Sequence, residues 1–109
     1  MSKEIRTGLL LDFYGPLLTG RQQLCLDLYF NQDLSLAEIA GQEGISRQAV
    51  RDALVRGERA LREAEEKLGL FRRYRAQSGL LAKLSSAVEG GDQQEAQRLI
   101  LAINALWDE

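Results

Sequence analysis

Twelve consecutive residues, Ile39-Ala40-Gly41-Gln42-Glu43-Gly44-Ile45-Ser46-Arg47-Gln48-Ala49-Val50, leave few folds open to this chain. Two helices that cross steeply need a small residue where they meet, and Ala40 supplies it. The turn between them needs a residue at ease with positive φ, and Gly44 supplies that. Ser46 can accept from the free amides that open the next helix. Ile39, Ile45 and Val50 would form the small core that fixes the angle, with Leu54 one turn further on. Met together at this spacing, these demands predict a helix-turn-helix over about residues 35–56.

The flanking sequence extends the same pattern. A first helix is expected over about residues 3–14, with Ile5, Leu9 and Phe13 on one side, ended by Gly15-Pro16. Thr19 with Gln22, and Ser35 with Glu38, have the spacing of capping boxes that open a second and a third helix. Leu24, Cys25 and Leu28 are expected inside the second, beside Tyr29, with a break at Asn31-Gln32-Asp33. The fourth helix is expected to run unbroken from Ser46 to about Leu68, roughly 31 Å, and Gly69 marks its end. Val50, Leu54, Gly57, Leu61, Ala64 and Leu68 alternate in steps of four and three along it. A glycine in mid-helix costs about 1 kcal/mol relative to alanine, so Gly57 suggests the close approach of another helix, an exposed and tolerated glycine being the alternative. A fifth helix to Glu89, a Gly90-Gly91 turn and a sixth helix capped by Asp92 with Glu95 complete an all-α reading. Residues 1–69 would form the helix-turn-helix domain and 70–109 a C-terminal helical hairpin for packing or dimerisation.

Composition narrows the chemistry. With no histidine and one cysteine, Cys25, the chain has neither an internal disulfide nor a multi-ligand His/Cys metal site. No phosphate-binding glycine loop or catalytic constellation can be assembled, so neither an enzyme nor a cofactor is expected. The N-terminal residues lack the features of a signal peptide, and no run approaches a membrane span, which sets the expected address in the cytoplasm without membrane insertion. Net charge is −2, but residues 46–75 hold nine basic and five acidic side chains. A polyanion, if one binds, would touch there.

Two sets of residues are candidates for such contact. Arg51 and Gln48 on the outward side of the fourth helix have the chemistry for guanine and adenine edges, and Arg47 that for phosphate. Arg72, Arg73 and Arg75, interleaved with Phe71 and Tyr74, could bind RNA by charge and stacking. The plainer alternatives are a solvated face of i,i+4 pairs such as Asp52 with Arg56, and aromatics that belong to the core. The seam through Gly57 and Ala64 and the apolar row Ala96, Leu99, Ile103 and Leu106 read as intramolecular core or as a homodimer face.

Leu18-Thr19, Arg21-Gln22, Leu28-Tyr29, Leu34-Ser35-Leu36, Glu38-Ile39-Ala40 and Ile45-Ser46 resemble region 4 of bacterial sigma factors. Leu11-Asp12-Phe13-Tyr14, Leu17-Leu18-Thr19, Ser46-Arg47-Gln48-Ala49-Val50 and Glu65-Glu66-Lys67-Leu68-Gly69 are more particular and resemble the YlxM family, over about residues 8–70. The resemblance implies a sigma-region-4-like helix-turn-helix with a long recognition-type helix. It also implies a gene commonly found beside those of the signal recognition particle, with DNA, the particle's RNA or its proteins as candidate partners. Carried onto this chain, the contact residues are Ser46, Arg47, Gln48 and Arg51. Many relatives have an aromatic in place of Arg51 and a polar residue in place of Gly57.

Overall fold

The computed structural model describes residues 3–108, and among them every regular element is helical. The helices are α1 (Lys3–Tyr14), α2 (Gly20–Leu26), α3 (Leu36–Glu43), α4 (Arg47–Leu68), α5 (Leu70–Glu89) and α6 (Gln93–Ala105). A 3₁₀ turn, Gly15–Leu17, follows α1, and a π-helical turn, Asp27–Asn31, prolongs α2. The chain divides into two compact units, Met1–Leu68 and Gly69–Glu109.

In the first unit α1, α2 and α3 all pack on α4. The core holds Leu10, Leu11, Tyr14, Cys25, Leu26, Leu28, Ile39, Val50, Ala53, Leu54 and Leu61. The inner side of α1 is therefore the row through Thr7, Leu10, Leu11 and Tyr14, and not the expected one, since Ile5 is exposed and Leu9 and Phe13 only half-buried. In α2 Cys25 is buried as expected and Leu26 with it, while Leu24 faces out. Leu28, within the π turn, is buried as expected.

Gly57 is where α2 comes closest to α4. A β-carbon at this position would lie 2.7 Å from Leu26 Cδ1 and 3.5 Å from Gln22 Cβ. Close approach thus accounts for the glycine, and α2 occupies the stretch of seam that a second copy would have needed. Further along the same row Ala64 is half-buried and Leu68 exposed.

The second unit is a hairpin of α5 and α6 around Gly90-Gly91, with Gly91 at φ 73°. Ala87, Ala96 and Leu99 form its core, with Leu80 and Leu84 against them. Asp92 caps α6 by accepting from the Glu95 amide. The box is not reciprocal, because the Glu95 carboxylate is held by Arg98 instead.

Candidate nucleic-acid interface

The start of α4 is held from both sides. Ser35 accepts from the Glu38 amide at 3.1 Å while Glu38 accepts from the Ser35 amide at 3.0 Å, which fixes the first turn of α3. Ser35 acting on the Glu38 carboxylate, chiefly through its backbone amide and then through its side chain, favours the ionised form and holds Glu38 below the usual glutamate range. At the other end of α3, Gly44 adopts φ 67° and ψ 34°, and its amide donates to the Ala40 carbonyl. The Ile45 amide donates to the same oxygen at 3.1 Å. Ser46 Oγ then accepts from the Ala49 amide at 3.0 Å, capping α4. Ile39 and Val50 are fully buried, Ala40 and Leu54 nearly so, and Ile45 is half-buried at the margin. The positive φ expected at Gly44 and the cap expected at Ser46 are both present.

With Val50 and Leu54 turned inward, the opposite side of α4 faces solvent. Arg47, Gln48, Arg51 and Asp52 are exposed, and Val55 stands out among them as an exposed apolar side chain. Gln48 is not idle: its Nε2 donates to Asp52 Oδ1 at 3.0 Å. Asp52 is thus engaged one turn earlier than the expected pair with Arg56. The Gln48 amide reads a base edge only if this bond opens, whereas Arg47 and Arg51 are presented directly. A shallow groove between α2 and α4 adds Arg21 and Arg56 to this unit's cationic surface, around Gln22 and Asp52. The sequence does not link Arg21 with the motif, because only the packing of α2 on α4 brings it there.

The arginines that follow Gly69 belong to the other unit and are already stacked or folded back. The Arg73 guanidinium lies 5.7 Å from the centre of the Trp107 ring, and that of Arg75 lies 6.0 Å from Phe71. Arg72 lies close over Gly69, where a β-carbon would come 2.7 Å from its guanidinium. Phe71 is buried, so it offers no face to a base, while Tyr74 is half exposed. Trp107 is tied further by donating from Nε1 to Gln77 Oε1 at 2.8 Å. Cys25 is buried, and burial pushes its thiol up, with Arg21 lowering it and Glu43 raising it to lesser degrees. That is the environment of a packing residue rather than a nucleophile. Among the described residues no cluster of metal-ligating side chains occurs, and no helix is long and apolar enough to cross a membrane.

Residues 1–100 match the family described as "UPF0122: Putative helix-turn-helix protein, YlxM / p13 like". The chain belongs to the UPF0122 family. The match runs on through α5 and into α6, well beyond the residues that carry the resemblance in the sequence. A UPF0122 protein of Symbiobacterium thermophilum is 45% identical over 100 residues, covering 92% of this chain and 94% of that one. One from Bacillus pumilus is 40% identical over 107 residues, covering 97% of each. One from Acetivibrio thermocellus is 46% identical over 92 residues, covering 84% of this chain and 79% of its own. UPF0122 members are thus matched across both units, and the motif named in the family's description is the one whose geometry is set out above.

Proposed function

We propose that this protein is a non-enzymatic, cytoplasmic, nucleic-acid-binding regulator that presents the first turns of α4 to a polyanion and acts as a homodimer. One observation carries the reading. The same turns of α4 have a fixed inner side, Val50 and Leu54, and an exposed outer side bearing Arg47 and Arg51. A rigid scaffold under exposed cations is what positioning on a phosphate backbone requires. Arg51 has the fork for a guanine edge and Val55 the surface for a thymine methyl group, with Arg47 on phosphate. The likeness to a family encoded beside signal recognition particle genes directs the reading to that particle, with its RNA or its proteins as the partner.

A second reading is a dimeric transcriptional regulator on duplex DNA. It is favoured by the state of the arginines after Gly69, since Arg73 and Arg75 lie over rings of their own hairpin. That leaves α4 as the better-presented surface.

Fluorescence anisotropy of labelled signal recognition particle RNA and of mixed-sequence duplex, at about 0.15 M salt, tests both. Binding that falls with added salt and is lost in Arg47→Ala/Arg51→Ala supports the α4 surface, and the preferred nucleic acid decides between the two readings. No binding to either would sink direct nucleic-acid recognition and leave a protein partner.

A further inference from the structure

The hairpin carries more apolar surface than its own core uses. On α5, Tyr74, Leu81 and Val88 follow one another at steps of seven and are 49%, 46% and 64% exposed. Seven residues fall about 20° short of two full turns, so the three form one stripe along the helix. Ile100 on α6 and Trp107 just beyond its end are also seven apart and are 45% and 46% exposed. Each stripe is rotated roughly 80° from the core row of its own helix, in the same sense when viewed from that helix's N-terminus. The hairpin is antiparallel, since Trp107 near one end of the chain bonds Gln77 near the start of α5. Equal rotations on antiparallel helices bring both stripes to one face.

That face carries little charge: Arg73 lies over the Trp107 ring, and Asp108 follows it in the chain. Ser78, Ser85 and Asn104 lie alongside the stripes, whereas Arg72, Lys83 and Arg98 fall on the opposite sides of their helices. We propose that this face joins two copies of the chain about a two-fold axis, as a four-helix bundle. The proposal rests on the homodimer reading and gives it a location away from the α4 seam, where Leu26 already covers Gly57.

Three observations select a second copy as the occupant. A polyanion gains little from a face whose one arginine, Arg73, is already stacked on Trp107, and a charged partner would strand its own charges there, whereas an identical face is as apolar as this one. Steps of seven suit helices that pack along their length. At about half exposure, five large side chains offer on the order of 500 Å² per copy, which with the flanking polar residues approaches the roughly 800 Å² per partner of a stable interface.

Light scattering on the eluting protein, from about 1 µM to about 500 µM, reads the result directly. The expected mass is twice the 12.2 kDa of the chain. Leu81→Glu/Val88→Glu should halve it with helicity unchanged, both side chains being exposed, and Trp107 emission should move to the red as its ring becomes wetter. Ile100→Lys, on the other helix, should do the same independently. A wild-type mass of 12.2 kDa throughout would overturn the homodimer and this face together. A dimer that survives all three substitutions would overturn the face alone.

Discussion

The phenol of Tyr14 donates to Glu65 Oε1 at 2.6 Å, joining the end of α1 to the last turn but one of α4, 51 residues further along the chain. Both groups are buried, Tyr14 almost completely. A hydrogen bond to a carboxyl out of water contributes more than one at the surface, because the alternative is a polar group without its full complement of partners. Tyr14→Phe keeps the ring and removes the donor, and is expected to cost about 1–3 kcal/mol. Chemical denaturation measures this, and an unchanged midpoint would assign the burial of Tyr14 to the ring alone.

Gly57 should be the least tolerant position of α4. Alanine there gains about 1 kcal/mol of helix propensity, but its methyl group would meet a Leu26 side chain that has no room to withdraw. Crowding of this kind costs roughly 1–3 kcal/mol. Gly57→Ala is therefore expected to destabilise by about 1 kcal/mol, and Gly57→Leu by several. Urea unfolding of the two variants decides it, and stability equal to wild type for Gly57→Leu would mean that α2 is not seated on α4 as described.

Ser46 has two candidate roles that substitution can separate. As a cap it accepts from the Ala49 amide, and Ser46→Ala should lose about 1 kcal/mol of stability. Ser46→Asp should retain the cap, since aspartate accepts as well as serine. Its charge would at the same time repel phosphate and weaken any nucleic-acid binding. Thermal melts and anisotropy on the same two variants are the comparison required.

The capping box of α3 has a pH signature. Glu38 is held below the usual glutamate range by its bonds with Ser35. A carboxylate whose pKa is lower folded than unfolded stabilises the folded chain above its unfolded pKa. That contribution fades as pH falls through the folded value. Ser35→Ala keeps the backbone donor that contributes most and removes the side chain, so it should raise the Glu38 pKa part of the way toward the ordinary range, as followed by NMR titration of its carboxyl. A value that does not move would show that the Ser35 side chain has no part in holding it down.

Much of this fold was legible because much of it is local. Thr19 with Gln22, Ser35 with Glu38, Gly44 and Ser46 each act within four residues, so spacing alone locates them. Faces were less legible. Ile5–Leu9–Phe13 and Thr7–Leu10–Leu11–Tyr14 are both apolar rows, and only α4, with Glu65 waiting for a donor, selects the second. Leu24 and Leu26 flank the buried Cys25 on either side, and only the seating of α2 on α4 at Gly57 turns Leu26 inward. The arginines after Gly69 read as ligands for RNA in sequence because Trp107, the ring that Arg73 lies over, is far along the chain. The candidate contact residues on α4 could be named in advance, but not that Gln48 spends its amide on Asp52.

Leu26 and the missing side chain of Gly57 fill one volume between them. A volume held in common is inherited in common, so the two positions should not drift independently. Relatives that carry a polar side chain in place of Gly57 should have a smaller residue in place of Leu26, or a differently seated α2. Introduced into this chain, a trimmed Leu26 should rescue an enlarged Gly57 beyond the sum of the two single changes. The size of that rescue would measure how tightly the two positions are coupled in this chain.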